Sequence, residues 1–221
     1  GHTAPGVDTA IDIAVVGPLA RSATDLDMAL SVLAGPAGLD ATGYRVDLPN
    51  STRESLSDYR VGVVLDTPAC KTATPLIDHL QGTVDQLAGL GVHVSSASPR
   101  IDQVEFFENY LLLLRAATGA SIDDEACAVA LPGHEAWERG ERTYRNLVDH
   151  GAHMTHREWF ALHQQRERYR QQWARYFDEF DLLLCPAAAS TAFPHDHEGE
   201  RIDRTIEIDG GQEPVVDQLF W

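Results

Sequence analysis

Lysine is almost absent from this sequence. Of its seventeen basic residues only Lys71 is lysine, and the rest are arginine. Against thirty-four Asp and Glu they leave a formal charge of −17, and protonating all ten His would still leave −7. Nucleic-acid phosphates and anionic membrane surfaces are bound through Lys and Arg, so neither is an expected partner. Cysteine is scarce as well. Cys70, Cys127 and Cys185 lie far apart with no C-x-x-C pair, a count and spacing that support neither a disulfide framework nor a cysteine-based zinc site. No run approaches the roughly 18–20 apolar residues of a membrane span. The start, Gly1-His-Thr-Ala-Pro-Gly6, lacks the order of a signal peptide. A soluble, reducing, cytoplasmic setting is the expectation. The first residue is not Met, however, so the chain is also readable as a piece of a longer one, and a missing signal then carries little weight.

What is present is ordinary globular material: 221 residues, 43% hydrophobic and 23% charged, enough to bury a core. Ser22 or Thr24 can cap a helix bearing Leu26, Leu30 and Leu33, which Gly35-Pro36 stops. Residues 37–58 are polar and turn-rich and read as a loop. A β-α-β unit over 59–95 follows. Tyr59–Leu65 is a short β-branched run, Thr74 is expected to cap a helix with Pro75 at its first position and a face of Ile77, Leu80, Val84 and Leu87, and Gly91 ends it before a second strand at Val92–Val94. Val104, Phe107, Leu111 and Leu114 predict a helix after Asp102. Residues 119–134 read as irregular, with a weaker helix over 135–149. A strong helix runs from Thr155 or His156 to Phe177, with Trp159, Leu162, Tyr169, Trp173 and Phe177 inward. It leads into a strand at Phe180–Cys185 that stops at Pro186. Residues 204–211 read as an extended arm with an Asp-Gly turn.

Motifs for chemistry are few. There is no G-x-S-x-G elbow and no glycine-rich phosphate loop. Ser95-Ser96 is the sole adjacent serine pair, but no glycines flank it, and a turn after a strand accounts for it. Lys71 lies in a predicted loop with no serine partner close in sequence, as a solvated lysine would. His195-Asp196-His197-Glu198 packs four candidate ligands into a polar loop, with His153 and His156 ahead of the long helix. That pattern is not the H-E-x-x-H helix of zincins, so local hydrogen bonding or adventitious metal explains it, and no metal or other cofactor is expected. Asp123-Asp124-Glu125 and Asp178-Glu179 read as solvated caps, not a glycosidase pair. Cys185, at the end of an apolar strand, can face a pocket or be a small core residue.

Two segments resemble a known family. Asp12-Ile-Ala-Val-Val-Gly17-Pro18-Leu19-Ala20-Arg21-Ser22-Ala-Thr-Asp25, followed by Val32-Leu-Ala-Gly-Pro36, is similar to the stretch after the catalytic serine of amidase-signature enzymes. Met154-Thr-His-Arg-Glu-Trp159, running through Trp173, Phe177 and Asp181 to Leu184-Cys-Pro186 and Ala192-Phe-Pro-His195-Asp196, resembles their later helix–strand–loop. Arg204-Thr-Ile to Asp217-Gln-Leu-Phe-Trp221 resembles the segment that follows. The resemblance implies an α/β fold, part of an α/β/α sandwich around a mixed sheet, with the whole of 1–221 forming a single partial domain. It also implies carboxamide hydrolysis by a Ser–cis-Ser–Lys triad through an acyl-enzyme. The Gly-Gly-Ser-Ser loop and its lysine would precede Gly1, so no catalytic residue is carried over and this chain alone is expected to be inactive. Gly17-Pro18, Arg21 and Asp25 read as architectural. Cys185, Pro186 and Phe193, with the helix at 102–118, are expected to wall the pocket of a small-molecule amide substrate. Two other readings stay open: a non-catalytic binding module left by a truncated gene, and an amidotransferase A subunit needing partners. An incomplete sheet would expose edges and apolar faces, so a homodimer or a complementing fragment is the expected partner.

Overall fold

The computed structural model describes residues 12–15, 17–36 and 38–221. The chain divides into two compact units, 1–52 and 53–221. The Val16 position of the first family-like segment lies outside the described residues. In the first unit, helix α1 (Ala23–Leu33) is capped by Ser22, whose hydroxyl accepts from Asp25 N–H at 3.1 Å. Its expected apolar face is not buried: Leu26, Leu30 and Leu33 are 38%, 44% and 45% exposed. The stretch read as loop carries 3-10 turns at Gly38–Thr42 and, in the second unit, Leu56–Asp58.

The second unit is built on β1 (Arg60–Val63), α2 (Thr74–Gly89) and β2 (His93–Ser96), with β1 and β2 parallel. β3 (Leu182–Leu184) pairs on the other side of β1, also parallel, so the strand order is β2-β1-β3. An antiparallel hairpin of β4 (Thr205–Ile208) and β5 (Gly211–Pro214) stands apart from that sheet. Its two-residue turn places Asp209 and Gly210 at φ 50° and 77°, as a type I′ turn requires. The fold is α/β. Among the described residues the three-stranded sheet is purely parallel, and the antiparallel pairing belongs to the hairpin.

Four more helices complete the unit among the described residues: α3 (Gln103–Gly119), α4 (Asp124–Glu138), α5 (Tyr144–His153) and α6 (His156–Glu179). Each starts on an oxygen-bearing cap, at Asp102, Asp123, Thr143 and Thr155, and Thr155 forms a reciprocal capping box with Glu158. Phe107, Leu111, Leu112, Trp137, Leu147 and Val216 form the core where these helices meet. Cys70, Ala189, Ile206 and Ile208 form a second cluster under the hairpin.

Four sequence expectations are corrected. Residues 119–134 are not irregular, because α4 begins at Asp124 and runs through Pro132, which lacks the amide that would bond back to Ala128. The single weak helix over 135–149 is in fact the end of α4 and the start of α5. On α6 the inward residue is Tyr176, 6% exposed, while Phe177 is 48% exposed. Tyr169 and Tyr176 are seven residues apart, which returns to the same helix face more closely than the eight residues from Tyr169 to Phe177. At the start of α2, Ala73 is the cap residue, and the oxygen that serves Thr74 comes from the hairpin turn. Thr74 N–H and hydroxyl donate to Asp209 at 3.1 and 2.8 Å, and these bonds hold the Asp209 carboxyl below its ordinary range.

Candidate functional site

The strand order reverses between β1 and β3, and parallel sheets bind ligands outside the carboxyl ends of strands at such a point. A cavity of about 150 Å³ lies there. Val64 follows β1, Leu183 and Cys185 come from β3 and its end, Ser98 and Pro99 follow β2, and Phe106 of α3 and Trp173 of α6 close the sides with Phe220 and Trp221. The walls are mostly apolar. Ser98 and Gln103 are the polar side chains among them, and Gln103 accepts a hydrogen bond from the buried Thr67 hydroxyl. The volume matches a cavity that accepts a benzene-sized group, about 150 Å³.

Of the expected pocket residues, Cys185 lines this cavity. Cys185 is exposed as a whole, but partial desolvation of its thiol against the apolar wall raises the pKa above the ordinary value, so it is a neutral wall group. Pro186 is buried beside it, and Phe193 is 46% exposed in the following loop, away from this cavity. Between them Ala189 is fully buried. Its N–H donates to Gln218 at 3.1 Å and its carbonyl accepts from Ala73 N–H at 2.8 Å, which fixes the chain leaving β3. The helix expected at the wall over 102–118 supplies Phe106, whereas sequence reasoning missed Trp173 and Trp221. Their aromatic character was legible, but their convergence on Phe106 depends on three separate elements.

The base of the sheet is held electrostatically. The Asp181 carboxylate, just before β3, accepts from Arg60 backbone N–H at 2.7 Å and from Arg53 at 2.6 Å. The Arg60 contacts come first among the causes that hold its carboxyl far below the usual carboxylate range. Lys71 is not poised as a base. Its Nζ donates to Ile208 carbonyl at 3.2 Å and lies 3.8 Å from Glu213, while Ser95 and Ser96 are exposed on β2.

Next to the cavity, Cys70 donates its thiol to Asp217 carbonyl at 3.2 Å. Burial, reinforced by the Asp217 and Asp66 carboxylates, pushes this thiol up to about 12, which makes it inert. Burial, then the Glu213 charge, raises the Asp217 carboxyl to about 6 from 3.8. The proton is therefore held more tightly in the folded chain than in the unfolded one. The stability this contributes is complete below pH 3.8 and is lost as pH rises through about 6. Full burial would make that loss about 3 kcal/mol; for a half-buried carboxyl about 1–1.5 kcal/mol is expected. Asp217→Asn should abolish this slope and melt higher than the parent at pH 8 but not at pH 4. Equal melting differences at both pH values would refute it.

Imidazoles collect elsewhere. His134 of α4 meets His150 of α5 edge to edge, with ring centroids 5.2 Å apart and His134 Nδ1 facing His150 Nδ1 at 3.0 Å, and the His153 ring lies 5.0 Å from His134 at 25° to it. Glu138 Oε1 lies 3.6 Å from His150 Nδ1. The His195–Glu198 loop read from sequence as ligand-rich is exposed. Its two rings stand at 88° to each other, and Glu198 N–H donates locally to the Asp196 carboxylate at 2.9 Å.

Comparison with known proteins now decides the family. The model described as Amidase matches residues 3–210. The chain belongs to the amidase family. It is 24% identical over 211 residues to the A subunit of glutamyl-tRNA(Gln) amidotransferase from Gloeothece citriformis, covering 87% of this chain and 43% of that one. An amidase of Gibberella moniliformis is 23% identical over 186 residues, covering 81% of this chain and 34% of its own length. A bacterial aryl acylamidase of the amidase signature family superposes with a TM-score of 0.57 at 21% identity, over 91% of this chain and 42% of that one, a likeness of fold. The chain thus spans less than half the length of these relatives. No helix among the described residues is long and apolar enough to cross a membrane.

Proposed function

We propose that this chain is part of a hydrolase that cleaves carboxamide C–N bonds, with a Ser–cis-Ser–Lys triad supplied by chain outside these 221 residues. The cavity at the carboxyl edge of the sheet receives the acyl part of the substrate. The observation that carries this reading is the apolar, benzene-sized cavity at the strand-order reversal of a chain matched by the family model over 3–210. In this scheme the serine oxygen attacks the amide carbonyl, its proton passing through the bridging serine to the lysine. Backbone N–H groups hold the oxyanion, the amine leaves with a proton, and water then releases the acid. Of the residues the resemblance offers for the acyl side, Cys185 belongs to this wall and Pro186 backs it from the next position, while Phe193 lies in the exposed loop beyond and is not part of this cavity's wall. Only Cys185 has direct geometric support, from the cavity it lines.

A fluorophosphonate probe tests the placement of the nucleophile. This chain should keep its 24.3 kDa mass after exposure to the probe. A single adduct would put the nucleophile within it and overturn the reading. The amidotransferase alternative draws on the Gloeothece citriformis relative, whose match takes in 87% of this chain. It requires further protein partners, so hydrolysis of a simple anilide by the whole protein without any partner would set it aside. A reading frame that encodes no upstream lysine and serine loop would favour the non-catalytic module. The same scheme has the chain pair with a second copy or a complementing fragment. A monodisperse, stable monomer in sedimentation would count against that pairing.

A further inference from the structure

We propose that His134, Glu138 and His150 form a binding site for a first-row divalent cation of the zinc type, clamping α4 to α5. The three ligand atoms lie within 4.8 Å of one another. His134 and Glu138 are four residues apart on α4 and share one face, and His150 faces them from α5. Two nitrogens 3.0 Å apart are near the separation, about 3.3 Å, of ligands held about 2.0–2.1 Å from one tetrahedral ion. Glu138 Oε1 already lies 3.6 Å from His150 Nδ1, and its side chain, 54% exposed, has room to turn toward the two nitrogens. Two imidazoles and one carboxylate suit zinc, cobalt or nickel, with water in the remaining position on the exposed Glu138 side.

The surroundings favour a held cation. The His150 side chain is 6% exposed, and its ring is fixed between His134 and Trp137. The His153 ring lies 5.0 Å from His134 and is itself tied to the Cys127 carbonyl at 2.9 Å, which restricts the His134 ring. The Glu158 carboxylate adds negative charge near both ligand rings, against the guanidinium of Arg142, which lies over Trp137 at 3.9 Å. Gly133 permits the approach: a Cβ there would overlap the Asp149 carboxylate and lie 2.8 Å from Asp149 Cβ. Without an ion the two Nδ1 atoms share one proton in a hydrogen bond, and that arrangement is the competing account.

The test is a calorimetric titration of the purified protein with zinc chloride alone. His195→Ala/His197→Ala serves as background, to remove the exposed histidine pair. One saturable site is expected, with cobalt giving the intense visible bands of a four-coordinate ion. His134→Gln should weaken binding at least tenfold and abolish the rise in Tm that zinc produces. Because His134 is packed between helices, Glu138→Gln serves as the second variant; it removes an exposed ligand without touching the core and should also weaken zinc at least tenfold. No saturable binding in the background protein would overturn the proposal. So would zinc affinity unchanged in a folded His134→Gln or Glu138→Gln variant.

Discussion

Gly62→Ala should destabilise the protein by about 3 kcal/mol and lower Tm by about 6–12 °C, in spite of adding one methyl group. Gly62 is in the middle of β1, the central strand, and its face of the sheet is covered by Tyr176 of α6. A Cβ there would overlap Tyr176 Oη, with the ring carbon Cζ and Ala97 carbonyl oxygen each at 2.9 Å. The ring has little room to retreat, being stacked on Phe180 at 4.8 Å and edge-on to Trp173 at 5.8 Å. Tyr176→Phe alone should cost under about 1 kcal/mol, since the hydroxyl's bond to Ala97 carbonyl is 3.5 Å long and weak. Combined with Gly62→Ala it should recover about half the loss, because Oη is removed while the contacts with Cζ and the carbonyl remain. Equilibrium denaturation of the four proteins measures this directly, and strict additivity would show that the tyrosine is not the obstacle. Trp173 also lines the cavity, so the single variant should distort the proposed acyl wall.

The same strand shows what a sequence conveys and what it withholds. The run from Tyr59 to Leu65 is β-branched and apolar enough to be read as a strand, and Gly91 at φ 88° ends the helix between the two strands. Those signals are local. The role of Gly62 is not local, because it depends on a tyrosine 114 positions later. Thr74-Pro75 announces a helix start, but the carboxylate that caps it is Asp209, 135 residues away. The cavity has the same character. Cys185 is legible as the end of an apolar strand before a proline, whereas Trp173 and Trp221 join it only through packing. At α4 a local signal misleads: Pro132-Gly133 reads as a breaker. With 119–134 read as irregular and a helix begun only at 135, His134 and Glu138 fall on different segments and their four-residue spacing loses its meaning, so the exposed His195–His197 pair draws attention instead.

Gly151→Ala should cost about 2 kcal/mol, although alanine is the better helix former. In an exposed helix interior this exchange gains about 1 kcal/mol. Here α5 is buried at that point, and the added Cβ would overlap Arg115 Cβ and lie 2.8 Å from Arg115 carbonyl carbon on α3. A backbone carbon cannot rotate away as a side-chain tip can, so the helices must separate. Two close approaches reinforce the seam: Gly119 on α3, where a Cβ would be 2.8 Å from Ala152 Cα, and Gly133 on α4 against Asp149. Displacing α5 strains α3 and α4 together, and with them the core residues Leu111, Trp137 and Leu147. The cost should therefore appear as overpacking of about 3 kcal/mol less the helical gain. Gly82, which is helical with open space around it, provides the control: Gly82→Ala should stabilise by up to about 1 kcal/mol. If both substitutions moved Tm in the same direction, helix propensity would govern and the close packing of α3 on α5 would not.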